Sequence, residues 1–259
     1  MLSRRHFLTG LATAGVLGAT GCTIPDSVTP RERAQCVPRD SLPGTRRLAG
    51  VPLHYEVDGG TRTFHLDPAF QQQLEAWATD WQETTGLRFD RLDTYGTWID
   101  GRGQCDSWHH SGRALDIARL RLNGRAVVSC REDLWADDPA AASLRRGYWA
   151  LAAHLHIHFA YVLTYLYDEA HRNHIHLDNG ISGAGLSSFR SGSRVQVQAV
   201  QATARWLFDE PIEITGRWDA ETRRTSRAIL QASGHTGDLT DQANWHAYLR
   251  AAVRQLRSA

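Results

Sequence analysis

Two short segments of the 259-residue chain gather most of the groups able to do metal or acid–base chemistry. The first runs Ser107-Trp108-His109-His110-Ser111-Gly112-Arg113-Ala114-Leu115-Asp116; the second runs His171-Arg172-Asn173-His174-Ile175-His176-Leu177-Asp178. Strand alternation puts His174 and His176 on one face, with Asp178 beside them. Gly112 permits a backbone turn between His109 and Asp116. Two imidazoles and one carboxylate form a good borderline ligand set for zinc, and three protein ligands leave a fourth position for water. Bound zinc lowers the pKa of that water from roughly 15.7 to about 7, which makes a nucleophile at neutral pH. A His-x-His pair alone is common on alternating strands, so the signal comes from the two segments together.

Composition narrows the chemistry further. All 29 basic residues are arginines, against 28 acidic ones and 13 histidines. Without lysine there is no Schiff base, no phosphate-loop lysine and no serine–lysine dyad. Arginine does not lose its proton, so acid–base work falls to His, Asp, Glu, Tyr or Cys. A formal net charge of +1 argues against a nucleic-acid binder acting through a basic field.

The pattern Ser107-x-His109-x-x-Gly112-x-Ala114-x-Asp116 with a distal His174-x-His176 resembles the zinc D-alanyl-D-alanine peptidases, which cut or trim peptidoglycan peptides. SWHHSGRALDI and AHRNHIHLD resemble, more closely, the bacterial extensin-like C-terminal domain, over roughly residues 36–180. The resemblance implies His109, Asp116 and His176 as ligands of one zinc ion. It implies His174 as general base or transition-state stabiliser and His171 as a further catalytic histidine. Family members also carry an upstream Gly-Tyr-Arg whose arginine polarises the scissile carbonyl. Here the region reads Asp93-Thr94-Tyr95-Gly96-Thr97, and Arg102 is the nearest candidate.

Elements that could position these groups follow from periodicity. Residues 51–57 alternate like a strand, Asp58-Gly59-Gly60 signals a hairpin turn, and 62–66 would be its partner. Asp67 and Pro68 suit the N-cap and first turn of a helix with Phe70, Leu74, Trp77 and Trp81 on one face. Residues 87–95, 114–119 and 126–130 read as strands, with Asn123-Gly124 as a strong hairpin turn. A helix is expected over 143–158 and a short strand over 175–177. The mixture without regular alternation points to α+β: a small domain with an antiparallel sheet carrying a His/Asp/His zinc site, plus a small all-α three-helix C-terminal domain. His154, His156 and His158 read as packing histidines, because no carboxylate lies at matching spacing. His110, offset by one from His109, is expected to point away. Trp108 is expected near the cleft, and Asp178 either orients a ligand histidine or caps the turn at Asn179-Gly180.

The expected organisation is a twin-arginine and lipoprotein signal over 1–21, a tether over 22–50, the extensin-like zinc peptidase domain over 51–180, a Gly/Ser-rich linker over 181–194 and a helical domain over 195–259. Ala19-Thr20-Gly21-Cys22 resembles a lipobox, with Cys22 acylated to anchor the protein to the membrane. An exported chain can form disulfides. Cys105 and Cys130 flank the first motif and are the preferred pair, although sequence alone does not fix connectivity. Val197-Gln198-Ala199-Val200-Gln201 followed by Ile214-Thr215-Gly216-Arg217-Trp218-Asp219-Ala220-Glu221-Thr222 resembles the three-helix peptidoglycan-binding module. These features imply an exported zinc hydrolase of the periplasm or cell envelope, with peptidoglycan as partner. The competing expectation is a non-catalytic cell-wall-binding lipoprotein with a structural zinc site.

Overall fold

The structure is a computed structural model that describes residues 34–180 and 182–257. The expected signal and Cys22, the expected lipidation site, lie outside the described residues. In chain order the strands are β1 (Gly44–Thr45), β2 (Arg47–Leu48), β3 (Val51–Tyr55), β4 (Phe64–His65), β5 (Arg91–Gly96), β6 (Ala114–Leu122), β7 (Arg125–Ser129), β8 (Tyr161–Leu163) and β9 (Ile175–Asp178). The helices are α1 (Pro68–Thr85), α2 (Glu132–Trp135), α3 (Ala141–His158), α4 (Arg194–Leu207), α5 (Ala220–Ala232) and α6 (Gln242–Arg254). The fold is mixed α+β. No described helix is long and apolar enough to cross a membrane.

The main sheet runs β2-β3-β5-β6-β9-β8, and β7 also pairs with β6. Every pairing in it is antiparallel except β3 with β5. One edge of β6 takes β5. The other is shared: 114–117 pair with β9, and 119–122 pair with β7. The β6–β7 turn is Asn123-Gly124, both with positive φ (51° and 77°), the conformation that an Asn-Gly hairpin turn requires. Strand alternation sends Leu115, Ile117, Ile175 and Leu177 into the core, each at most 1% exposed. Asp116, His174 and His176 therefore lie on the opposite face.

Asp67 starts α1 by accepting a hydrogen bond from Phe70 N (3.0 Å), and Gly86 ends it at φ 68°. Its buried residues include Phe70, Leu74, Trp77 and Trp81. The hairpin expected from 51–57 to 62–66 does not form as a ladder. The turn closes, with Tyr55 N donating to Gly60 O (2.8 Å). Beyond it only a single bridge joins His54 to Thr61. β3 instead pairs with β2 and β5, and β4 pairs with β1. The core-facing Leu53, 1% exposed, draws β3 into the main sheet, a burial that a free hairpin could not provide.

The described chain from 34 onward lies in one compact unit. The C-terminal helices share its core: Val197, Val200, Trp245 and Leu249 belong to the same apolar cluster as Trp149 and Leu151 of α3. The Gly/Ser-rich stretch between them is pinned. Ser187 N donates to Ile157 O (2.9 Å), Trp245 Nε1 donates to Ser187 Oγ (2.8 Å), and the Phe189 ring lies 4.7 Å from that of Trp218. Within the helices, buried Gln201 closes the loop before α5. Its amide donates to Thr222 Oγ1 (2.9 Å) and Arg217 O (3.1 Å) and accepts from Gly216 N (2.8 Å).

Candidate metal centre

His109 sits on a 3-10 turn, Trp108–Ser111, whose N-cap Ser107 accepts from His109 N (3.3 Å). Gly112 ends the turn at φ 67°, and its carbonyl accepts from Asp67 N (3.0 Å). The position is closed to larger residues, since a Cβ there would lie 2.7 Å from Leu42 Cδ1 and 3.1 Å from Asp67 N. The turn is thereby tied to the start of α1.

Asp116 and His176 are direct cross-strand partners on β6 and β9, the closest relation two side chains of neighbouring strands can have. Asp116 Oδ1 lies 3.0 Å from His176 Nδ1 and 3.2 Å from His109 Nε2, and the two ring nitrogens are 3.1 Å apart. The outer ring nitrogens settle which edge carries the lone pair. His109 Nδ1 meets the carbonyl of Thr97 at 2.7 Å, and His176 Nε2 meets Asp178 Oδ2 at 3.3 Å. Both partners only accept, so each histidine donates there and turns a bare nitrogen inward. With both rings neutral, three lone-pair atoms converge with nothing between them to donate, an arrangement that calls for a cation, either a proton or a metal ion. Ligands about 2.0–2.1 Å from a tetrahedral zinc lie roughly 3.3–3.4 Å apart, so the residues fit that ion. Asp178 does both things expected of it, since its Oδ1 accepts from Gly180 N (2.9 Å).

The charges fit the same picture. Burial alone would raise the Asp116 carboxyl, but His109 and His176 outweigh it and hold the group well below the usual carboxylate range. Burial works to lower His176, yet hydrogen bonds to Asp116 and Asp178 push it up to about 9, so without an ion a proton sits on its inward nitrogen, and a metal would bind there by displacing that proton.

His174 and His171 flank the centre. The His174 Nε2 is 3.5 Å from Asp116 Oδ1, and its Nδ1 donates to Asn173 Oδ1 (2.5 Å). Burial lowers its pKa to about 4, against the pull of Asp116, so the ring is neutral at pH 7. The His171 ring lies 5.1 Å from His174 and 6.1 Å from His176, and its Nδ1 contacts Asp168 Oδ1 (2.5 Å). Tyr95, bulged out of register beside Gly96, sets its ring edge-on to His174 at 5.8 Å.

Two expectations need correction. Arg102 stands in an exposed turn at φ 48°, its backbone N–H held by Asp100 (2.9 Å), and its side chain has no partner among the described residues. The turn directs it to solvent instead of to the histidines. The disulfide joins Cys36 to Cys105, with Cα atoms 5.1 Å apart; Cys130 is free and fully buried. Cys130 directly follows β7, inside the core. Cys105 lies in the surface loop, beside the segment where Val37 N donates to His110 O (2.8 Å).

His110 points elsewhere, 3.7 Å from Asp106. Trp108, expected near the cleft, is packed instead between Arg113 and Gly180. Arg113 stacks 4.5 Å above its ring, and Gly180 packs so closely beneath that a Cβ would fall 2.0 Å from the indole. A cleft of about 320 Å³ is lined by Arg39, Tyr55, Arg62, Tyr95, Thr97 and Trp98 among others; it shares Thr97 and Tyr95 with the surroundings of His109 and His174, but none of the site histidines or Asp116 lines it. Sequence reasoning missed the supporting groups Thr97, Asn173 and Asp168. Only the adjacency of Asn173 to His174 and of Asp168 to His171 offered a signal.

Residues 68–190 match the family model of the extensin-like protein C-terminus. The matched span holds both motif segments and stops short of α4. No curated protein and no solved structure matches the chain.

Proposed function

We propose that the extensin-like C-terminal domain at residues 68–190 works as a zinc-dependent peptidase on peptidoglycan stem peptides or cross-links. The observation that carries this is the convergence of His109 Nε2, Asp116 Oδ1 and His176 Nδ1 at 3.0–3.2 Å, with a neutral His174 alongside. Zinc bound there would supply an acidified water and a polarised carbonyl.

The chain's own residues would do the rest. His109 and His176 are locked in the ligating tautomer by Thr97 O and Asp178. His174, anchored through Nδ1, takes a proton at Nε2 from the attacking water and passes it to the leaving amine. His171, backed by Asp168 at Nδ1, presents its outer edge to the developing oxyanion. In the adjoining cleft Arg39 and Arg62 meet the substrate's carboxylates, and the Tyr and Trp rings meet its apolar stems. Export fits the Cys36–Cys105 disulfide, since such bonds persist in oxidising compartments. In this scheme Cys22 carries the lipid anchor in the cell envelope, and the C-terminal helices hold the enzyme on the wall, raising local substrate concentration.

Purified protein incubated with muropeptides and followed by mass spectrometry tests the proposal. Wild type should release peptide or amino-acid products. His109→Ala should lose both zinc and turnover, while His174→Ala should keep most of its zinc and lose turnover. Intact muropeptides with one tightly held zinc would favour a structural zinc in a non-catalytic wall-binding lipoprotein.

A further inference from the structure

His154 and His158 stand four residues apart on α3, so their rings share one face of the helix and lie 5.7 Å apart. Their spacing offered no carboxylate, but the fold brings one from α1. Asp80 Oδ2 is 2.9 Å from His158 Nε2 and 3.4 Å from His154 Nε2. One ligand atom from each of the three residues lies within 4.8 Å of the others. This cluster shares no residue with the His109–Asp116–His176 centre.

Two details distinguish it from ordinary packing. His154 is fully buried, yet neither of its ring nitrogens has a hydrogen-bond partner among the described residues. A buried imidazole left so is costly, and such groups call for an explanation. Asp80 is also already oriented by an outer ring of donors. Thr84 Oγ1 donates to Oδ1 (3.0 Å), and Arg250 of α6 reaches Oδ1 at 3.3 Å and Oδ2 at 3.4 Å. Such partners are what fix a metal-ligating carboxylate in place. Asp80 keeps 23% of its side chain exposed, which leaves an entry path from solvent.

We propose that Asp80, His154 and His158 form a second divalent-cation site, of the zinc class, that clamps α1 to α3. Two neutral imidazoles and one carboxylate are borderline ligands suited to zinc, with a fourth position left to water. Arg250 adds a positive charge beside the carboxylate, so this site binds more weakly than the first centre, and its role is structural.

The test uses full-length protein carrying His109→Ala and His176→Ala, shown by circular dichroism to be folded, and titrated with zinc and with cobalt(II). The expected result is one remaining equivalent of metal with a tetrahedral cobalt spectrum, and a Tm that rises with added zinc. Adding either Asp80→Asn or His158→Gln, each isosteric enough to keep the helices paired, should abolish both signals. A folded protein that takes up no metal after the first centre is removed would overturn the site. So would uptake that is indifferent to both Asp80→Asn and His158→Gln.

Discussion

Asp178→Asn removes a charge without changing shape, and the structure states what that should do. The residue is 1% exposed, and its side chain accepts two hydrogen bonds, from His176 Nε2 (3.3 Å) and from Gly180 N (2.9 Å). A carboxylate satisfies both donors; an amide has one acceptor and must face one donor with its own N–H groups. If the amide oxygen stays on Gly180 N, His176 Nε2 meets an NH2 and must become the acceptor. Its proton then moves to Nδ1, the nitrogen that faces Asp116 and His109, and the ring can no longer ligate. If the amide turns over instead, the Gly180 N–H is stranded, at about 1–3 kcal/mol for a buried unsatisfied group. Either way metal affinity should fall by roughly 10–100-fold, the usual range for a partner orienting a ligand histidine, or about 1.4–2.8 kcal/mol. Competition against a chromophoric zinc chelator at fixed pH measures it, with thermal melts confirming that the variant is folded. Zinc affinity within twofold of wild type would show that the His176 tautomer is not set by Asp178, and the argument for an inward-facing lone pair would fail with it.

Three further outcomes follow from the geometry. His156 is fully buried, with both ring nitrogens unpartnered among the described residues, and burial lowers its pKa from 6.5 to about 3. The unfolded chain therefore binds its proton first as pH falls below 6.5, so stability drops progressively from there towards pH 3, by about 2 kcal/mol at pH 5. Urea melts of His156→Leu should show a gap between pH 7.5 and pH 5 smaller than wild type by that amount; an equal gap refutes it. Gly112→Ala forces a side chain into left-handed backbone and against Asp67 N, so it should cost about 2–3 kcal/mol and weaken metal binding; a chemical melt shifted by under half a kcal/mol contradicts this. Cys36→Ser opens a crosslink spanning 69 residues, worth about 4 kcal/mol on chain-entropy grounds, read as the difference in urea stability between the variant and oxidised wild type.

Much of the centre was legible because strand alternation is local. His174 and His176 announce a shared face, and Asn123-Gly124 announces the turn that returns β6 to β7. The helix of 68–85 was legible through Asp67, Pro68 and its aromatic stripe. What stayed hidden depends on pairings between distant segments. Nothing near Cys105 in sequence points to Cys36, which reaches it only because Val37 is held to His110. Asp80 lies more than seventy residues from His154, so no spacing rule joins them. The hairpin turn at Asp58–Gly60 was read correctly as a turn, yet the strands around it found better partners elsewhere in the sheet. Arg102 is near the motif in sequence, but its exposed turn at φ 48° carries it to solvent.

The pairing of Asp116 with His176 also makes the centre a witness to folding. The two residues are 60 positions apart, so their strands meet only after a long loop closes, among the slower steps available to a chain. A slip of one residue between β6 and β9 would turn His176 into the core and bring Ile175 or Leu177 out in its place. No partly correct pairing assembles the three lone pairs. If the centre holds metal as proposed, uptake would be an all-or-none certificate of register: a chain that takes the ion would have finished its sheet, and one that has mispaired it would stay empty.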